Sequence, residues 1–515
     1  MNLNKKIFFS ILIPIFLFVI IYLFISSKSM NWGGDSIEYL KLSHKMENGE
    51  FPLSANWMPL YSVNIYFVSF IFNSDLINSA KINNLFLGIF FIYMFNIYFV
   101  LKHSKSILSF IILNTSIFSY SYFLLQSITI MADFQYLVFT VIQLLIMSNL
   151  PSNNFNSRDL LKVILLAVLS FMTKYNGIIN IAILGLYFLV NIRNISWKYI
   201  VILLFAIVLF YIPWLIYKPG EDFLFKTSNE FNFLKIYNEI NNFSRDSIVS
   251  FFKYFSTYSI GKFVERNALR FPGFLLFALC NIISLHYFLK KIFFSNLKFQ
   301  FGFINLTFLF ILFYVDLIFV RQINGDISEI NTRTLFVILF LISMVFSVYL
   351  VKESLNKYLK SIIVMLVLIS TYSCFNYCYS TSINGIGELA ENKFNNQVNS
   401  MFDYCKKLNS YNLKLYSNEP KIVSLMNNYV NVNEFPSVWQ FKGNYYTKDP
   451  LVFEIESRAL LRVMKNESCA VIYFYMNKGQ HRYDNLQLNF LNKLTKDRDC
   501  SVYKNQFGII VHKTF

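Results

Sequence analysis

The sequence is poor in charge and in the motifs of soluble enzymes. Only 15% of its 515 residues are charged, against about 25% in an average soluble domain, whereas 55% are apolar and 19% aromatic. It contains no P-loop and no Rossmann glycine fingerprint, and its five histidines and six cysteines show no spacing typical of a metal site. This composition excludes a disordered chain and an ordinary cytosolic protein.

Long apolar runs occupy much of residues 1–379. A helix needs about 20 residues to cross the hydrocarbon layer of a bilayer. The run at residues 1–26 lacks a convincing small-x-small cleavage site, so we expect a retained first helix rather than a signal peptide. Ten further spans are predicted at about 79–101, 106–125, 131–149, 160–174, 177–191, 199–217, 272–289, 301–320, 334–351 and 361–379. The expected fold is an α-helical polytopic membrane protein with about eleven transmembrane helices.

The distribution of charge predicts the orientation of these helices. With eleven spans, the N-terminus and the even-numbered connections carry fourteen basic residues against two acidic ones, Asp159 and Glu353, a net charge of +12. We therefore expect a protein of the inner (plasma) membrane whose N-terminus lies in the cytoplasm. The basic residues are Lys5, Lys6, Lys102, Lys105, Arg158, Lys162, Arg193, Lys198, Lys290, Lys291, Lys298, Lys352, Lys357 and Lys360.

The opposite, extracytoplasmic face should hold the chemistry, because two long outer loops (27–78 and 218–271) and the C-terminal residues 380–515 lie there. Residues 1–379 are thus predicted to form the catalytic transmembrane domain. Residues 380–515 alternate strand-like and helical runs, which predicts a small extracytoplasmic α/β domain. The strand-like runs are Leu413–Tyr416, Ala470–Tyr475 and Gly508–His512, and the helical ones are Asn395–Leu408 and Leu451–Lys465.

Two cysteines of this tail, Cys469 and Cys500, allow two interpretations. An outward-facing domain permits a disulfide between them. Unpaired cysteines used as small core residues are the alternative.

The first outer loop begins with Asn31-Trp32-Gly33-Gly34-Asp35, directly where the first helix ends. Asp35 can simply cap the helix that follows. It can also act as a general base, because partial desolvation at the lipid boundary raises the basicity of a carboxylate. Later in the loop, Val63–Phe72 is apolar but short, which predicts a helix lying in the membrane interface.

This loop resembles that of the GT-C glycosyltransferases that use polyprenyl-phosphate sugars, such as protein O-mannosyltransferases and lipid A aminoarabinose transferases of the family 39-like group. In that family an Asp opens the loop, a Tyr follows four residues later, and Gly-x-x-Pro-like and Pro-x-Tyr-like steps come next. The corresponding residues here are Asp35, Tyr39, Gly49 with Pro52, and Pro59 with Tyr61. The resemblance implies that Asp35 is the catalytic base and that both tyrosines bind substrate.

Three further segments resemble the family in the expected order. Thr129-Ile130-Met131-Ala132-Asp133 matches its second acidic position, Thr173-Lys174-Tyr175-Asn176-Gly177 its Thr-Lys-Tyr turn, and Glu329 to Thr334 the segment that places Arg333 near the donor phosphate. From the residues alone, Lys174, Arg321 and Arg333 could hold a phosphate. Asp35 and Asp133 are the predicted catalytic residues, which could accept the proton of the attacking hydroxyl and offset positive charge on the sugar.

Each of these residues also has a structural interpretation. Lys174 can snorkel to the interface. The two arginines can be loop charges neutralised by Asp326 and Glu329. Asp133 can make a structural hydrogen bond, and Asp316, one turn and a bit before Arg321, is interpreted as a structural partner of that arginine.

The sequence thus favours an inverting glycosyltransferase. It would move a hexosyl or pentosyl group from a polyprenyl-phosphate carrier to a hydroxyl of a cell-envelope lipid, glycan or protein on the outer face. Such a donor contains no nucleotide, which fits the missing nucleotide motifs, and no nucleic acid is expected as partner. A divalent metal on Asp35 and Asp133 is compatible with the resemblance, but none is predicted. A lipid-linked oligosaccharide flippase and a surface-polysaccharide polymerase or ligase are the alternatives.

Overall fold

The computed structural model divides into two compact units, residues 1–31 with 42–383 and residues 32–41 with 384–515. The structure describes residues 3–27, 35–50, 58–104, 106–119, 121–150, 157–191, 195–217, 302–323, 335–352, 365, 372, 375, 376, 378, 379, 404, 413–418, 423, 424, 432–437, 439–442, 445–448, 450–474, 485–497, 499–505 and 508–513.

In the described part of the chain up to residue 352, the regular elements are helices. Its helices are α1 (Leu3–Ser26), α2 (Ser36–Glu47), α3 (Leu60–Phe72), α4 (Leu76–Phe95), α5 (Ile107–Ser119), α6 (Ser121–Ser127), α7 (Ala132–Met147), α8 (Ser157–Thr173), α9 (Ile178–Val190), α10 (Trp197–Tyr217), α11 (Phe303–Ile323) and α12 (Phe336–Lys352). A wider π turn at Asn96–Val100 extends α4 to His103.

Helices occupy the predicted spans wherever these are described. The predicted interfacial helix is α3, which begins three residues earlier than expected, and the predicted span 106–125 holds two helices, α5 and α6. The predicted span 272–289 and nearly all of 361–379 lie outside the described residues.

Among the residues whose side chains the structure describes, one helix is both long enough and apolar enough to cross a membrane. Leu76–His103 has 28 residues and is apolar enough to span a bilayer by length and composition. Counted over the residues whose side chains are described, shorter apolar helical segments of 10–17 residues are Ile11–Ser26, Leu60–Phe72, Ala132–Met147, Tyr175–Val190, Trp197–Val208, Phe303–Ile318 and Phe336–Val345. The number of eleven spans therefore stays a prediction.

Helix α7 lies at the centre of the first unit. Every one of its residues is buried, and it packs against α4, α8 and α11. A helix that is buried all round is expected to be apolar all round. Its polar residues Asp133, Gln135, Thr140 and Gln143 therefore need partners, since a buried polar group costs free energy unless it is hydrogen-bonded.

The second unit contains a five-stranded mixed sheet in the order β2-β1-β5-β7-β6. Strand β1 pairs in parallel with β2 and β5, whereas β7 runs antiparallel to β5 and β6. Strands β3 and β4 form a separate antiparallel ribbon. The strands are β1 (Lys414–Ser417), β2 (Val432–Glu434), β3 (Trp439–Lys442), β4 (Tyr445–Lys448), β5 (Cys469–Phe474), β6 (Ser501–Asn505) and β7 (Gly508–Lys513).

Two helices of this unit, α13 (Pro450–Asn466) and α14 (Asn485–Leu494), contribute side chains to the same core as β5 and β7. The buried residues Phe453, Leu460 and Met464 of α13 recur at helical spacing, so one face of the helix is apolar. The predicted helix Leu451–Lys465 and the three predicted strands are confirmed as α13, β1, β5 and β7. The predicted helix Asn395–Leu408 lies outside the described residues except for Tyr404.

Cys469 and Cys500 are both free thiols, so the structure favours the interpretation as unpaired core residues. The strand register gives the reason. Cys469 pairs with Lys513 of β7, while Ser501, next to Cys500, pairs with His512 on the other edge of β7. The two cysteines therefore lie two strand spacings apart, and each spacing is about 4.8 Å. The total exceeds the roughly 7 Å between Cα atoms that a disulfide tolerates. Burial raises the pKa of Cys469 to about 11, which also makes its thiol unreactive.

Candidate functional site

Asp133 and Lys174 form an ion pair at the N-terminal end of α7. Asp133 lies in the first turn of α7, where the partial positive charge of the helix end stabilises a carboxylate. Its side chain is only 6% exposed, whereas that of Lys174 is 25% exposed. The pair therefore joins a partly exposed lysine side chain to a buried carboxylate.

Lys174 lies in a sharp connection between α8 and α9. Its backbone is extended (φ −154°, ψ 142°), and a single 3₁₀ turn at Tyr175–Gly177 follows before α9 begins. Gly177 packs so closely against α8 that a Cβ atom would lie 2.4 Å from the backbone of Ser170 and Phe171. Only glycine fits this position, which explains why the turn ends on Gly177.

We expect Gly177→Ala to lower the stability of the protein by at least about 2 kcal/mol, because the new methyl group meets backbone atoms that cannot rotate away. The measurement is the apparent melting temperature in detergent. Gly185→Ala in α9 is the matched control, since a Cβ there meets no atom within 4 Å and alanine favours the helix by about 1 kcal/mol. Equal melting temperatures for both variants would contradict the close packing of Gly177.

Tyr61 of α3 is buried and fixed next to the segment that leads into α7. Its hydroxyl donates to Asn84 Oδ1 (3.1 Å) and lies within hydrogen-bonding reach of the Met131 backbone. Asn84 in turn donates from Nδ2 to the carbonyl oxygens of Ser127 and Thr129, both at 3.0 Å. Tyr61 is thereby held close enough to Asp133 for the two groups to interact electrostatically.

Two hydrogen-bond connections join α7 to the residues on either side of Lys174. Gln135 Nε2 donates to Thr173 Oγ1 (3.1 Å), just before the lysine. The Tyr136 hydroxyl donates to the carbonyl oxygen of Asn176 (3.1 Å), just after it. Asn176 Nδ2 continues the second connection to the Tyr314 hydroxyl of α11 (3.1 Å).

Asp35 occupies the N-cap position of α2. Its carbonyl oxygen accepts from the backbone N–H groups of Glu38 (3.1 Å) and Tyr39 (3.3 Å), the first bonds of the helix. Asp35 is partly exposed and Tyr39, one turn later, is buried. This placement suits a residue that caps the helix.

The two predicted arginines cannot be located in the site. Arg333 lies outside the described residues, and Arg321 belongs to α11, but its side chain is not among those described. Asp316, predicted as the structural partner of Arg321, is a partly buried residue of α11.

The structure adds three amide residues that sequence reasoning missed: Asn64, Asn84 and Gln135. All three lie in apolar helices and connect elements that carry predicted site residues. The available signal was an uncharged but strongly polar side chain inside an apolar run, where an unpaired amide is costly.

The described residues do not offer a metal site. Among them, no group of three or more His, Cys, Asp and Glu side chains lies close enough to share an ion. The Asp133 carboxylate faces an ammonium group, which competes with a cation for the same oxygens. We therefore assign no step to a metal.

Comparison with solved structures identifies proteins of the same fold. ArnT from Cupriavidus metallidurans, in a crystal structure with undecaprenyl phosphate bound, superimposes with a TM-score of 0.58 over 97% of both chains at 10% sequence identity. The chain therefore shares the fold of this protein. The archaeal oligosaccharyltransferase AglB from Archaeoglobus fulgidus, in complex with an inhibitory peptide and a dolichol-phosphate, matches with a TM-score of 0.50 and 12% identity over 92% of this chain and 70% of AglB.

A second structure of the Archaeoglobus fulgidus oligosaccharyltransferase, with zinc and sulfate, gives the same TM-score of 0.50 at 12% identity over 90% of this chain and 68% of that enzyme. No protein-family profile matches the sequence, and no curated protein is significantly similar to it. At these low identities the similarity establishes the fold, so the activity must be argued from the residues.

Proposed function

We propose that the protein is an integral-membrane glycosyltransferase that moves a sugar from a polyprenyl-phosphate carrier to a hydroxyl group. The observation that carries the proposal is the partly exposed Lys174 side chain, whose ammonium pairs with the buried Asp133 carboxylate. The fold shared with ArnT, which has been crystallised with undecaprenyl phosphate, supports this choice of donor.

Lys174 is proposed to bind the carrier phosphate. An ammonium has three N–H donors, of which the Asp133 carboxylate uses one, so donors remain for phosphate oxygens. Charge-assisted hydrogen bonds of this kind are about twice as strong as neutral ones. They stabilise the phosphate as it takes up negative charge during bond breaking. Arg321 and Arg333 are proposed as additional phosphate ligands, and Tyr39 and Tyr61 as substrate-binding residues.

Asp35 is proposed as the general base, on the strength of its place at the start of the first outer loop. The acceptor hydroxyl oxygen attacks the anomeric carbon while Asp35 takes its proton. The bond between that carbon and the phosphate oxygen breaks, and its electron pair leaves with the phosphate. Attack opposite the leaving group inverts the anomeric configuration. Asp133 orients Lys174 and offsets positive charge that develops on the sugar, as in glycoside hydrolysis.

The proposed reaction takes place on the extracytoplasmic face of the inner membrane, with the N-terminus in the cytoplasm and eleven spans. The acceptor is a lipid, glycan or protein of the cell envelope. The excess of basic residues in the even-numbered connections supports this orientation. Reporter fusions after residues 150 and 400 test it. The first should report the cytoplasm and the second the outer side.

The decisive test of the function is turnover in nanodiscs. Purified protein is incubated with a panel of radiolabelled polyprenyl-phosphate sugars and crude membrane extract as acceptor. Release of free polyprenyl phosphate from one donor, with label in an acceptor, supports the transferase and identifies the sugar. If folded protein releases nothing from any donor but moves lipid-linked glycan across a proteoliposome membrane, the flippase takes the place of this proposal.

A further inference from the structure

Gln135 connects the three elements that carry the proposed site. Its Nε2 donates to Thr173 Oγ1 at 3.1 Å, next to Lys174, and its Oε1 accepts from Asn64 Nδ2 of α3 at 3.0 Å. Gln135 itself lies two residues after Asp133 in α7 and is completely buried. Gln135 lies on the same helix as Asp133. Its single amide group therefore bonds both to the helix that carries Tyr61 and to the residue directly before Lys174.

The Thr173 hydroxyl is fixed from a second side as well. It donates to the carbonyl oxygen of Leu169 at 2.7 Å, within α8, while it accepts from Gln135. Its position along α8 is thus set by the helix, and its position against α7 is set by Gln135. Because Lys174 follows directly in an extended conformation, a shift of Thr173 moves the ammonium away from Asp133.

We propose that Gln135 is a positioning residue that holds the Lys174 ammonium against Asp133 in the geometry that binds the donor phosphate. The role as a donor-binding site rests on the proposed function, whereas the positioning of Lys174 does not. An uncharged amide suits this role. It supplies one donor and one acceptor to two different elements without placing another charge beside the ion pair.

The chain offers a matched control on the same helix. Gln143 is also a completely buried glutamine of α7, and its Nε2 donates to the carbonyl oxygen of Asn180 in α9 at 3.0 Å. It lies eight residues beyond Gln135, and that bond does not involve the turn of Lys174. Replacing either glutamine with leucine removes one completely buried amide from α7.

The first measurement needs no activity: the rate at which an amine-specific reagent labels Lys174 in nanodiscs, read by mass spectrometry. We expect Gln135→Leu to raise this rate about fivefold, because the ammonium leaves its carboxylate more often. Gln143→Leu should leave the rate unchanged. Thr173→Val should raise the labelling rate of Lys174 as much as Gln135→Leu does. The double variant should raise it no further, since both substitutions remove the same hydrogen bond. Equal labelling of Lys174 in wild type and Gln135→Leu, or an equal rise in Gln143→Leu, would overturn the positioning role.

The second measurement is the KM for the donor sugar identified in the panel. Gln135→Leu should raise KM about tenfold with a smaller change in kcat, and Gln143→Leu should change neither. If wild type uses no donor, the proposed function fails, and the labelling experiment still decides whether Gln135 positions Lys174. If labelling changes but KM does not, Gln135 positions the lysine and Lys174 is not the donor-binding group.

Discussion

Replacing Lys174 with glutamine should lower kcat/KM for sugar transfer by about 10²- to 10³-fold, the usual effect of removing one preorganised donor from a developing oxyanion. Glutamine keeps most of the side-chain length and can donate a hydrogen bond, but it carries no charge. The measurement is steady-state release of polyprenyl phosphate in nanodiscs. Lys198→Gln is the control, because Lys198 is an exposed lysine that lies over the ring of Tyr199 at 4.9 Å.

Stability separates the binding role of Lys174 from its role as a counterion. Lys174→Gln removes the cation that pairs with the buried Asp133 carboxylate, which should cost up to about 3 kcal/mol, the low end for a buried pair because Lys174 is 25% exposed. The double variant Asp133→Asn with Lys174→Gln removes both charges and should regain most of that stability. Its activity should stay as low as that of Lys174→Gln. Recovery of activity together with stability would show that the pair is only structural.

Asp35→Asn should reduce transfer by about 10²- to 10⁴-fold while the protein stays folded, the range expected for loss of a general base. Asparagine caps a helix about as well as aspartate, so the substitution keeps the start of α2 and removes only the basic group. Turnover is compared between wild type and variant at equal melting temperature. Activity close to that of wild type would mean that Asp35 serves α2 as a cap alone.

Asp75 provides the control for this substitution. It is the N-cap of α4, where its Oδ1 accepts from the Asn78 backbone N–H at 2.9 Å. Asp75→Asn makes the same chemical change at the same kind of position, and it should leave turnover within about twofold of wild type. If Asp35→Asn and Asp75→Asn lost activity equally, the loss in Asp35→Asn would be due to a change in helix capping and not to the loss of a base.

The sequence predicts most helices of the first unit well because most of them are long apolar runs, and length and hydropathy locate such runs directly. The C-terminal unit is harder to predict. Its main strands β5 and β7 are apolar enough to recognise, but β2 has only three residues, and β6 mixes exposed and partly buried positions. Short strands of this kind are defined by their pairing with neighbours rather than by their own composition.

The site shows the same division. Asp133 and Lys174 can be selected from the sequence because charge is costly inside apolar helices. Their pairing cannot, because 41 residues separate them and their approach depends on how α7 packs against α8. The role of Gln135 is still harder to predict from the sequence, since an uncharged amide gives a weak signal until its partners Asn64 and Thr173 are known.

Binding of undecaprenyl phosphate to the purified protein tests most directly whether Lys174 holds a carrier phosphate. Native mass spectrometry or a scintillation proximity assay in nanodiscs gives the Kd for wild type, Lys174→Gln and Lys198→Gln. We predict one carrier bound per chain, a Kd at least about tenfold higher for Lys174→Gln, and no change for Lys198→Gln. The absence of binding to wild type, or equal Kd values for wild type and Lys174→Gln, would contradict the proposed site.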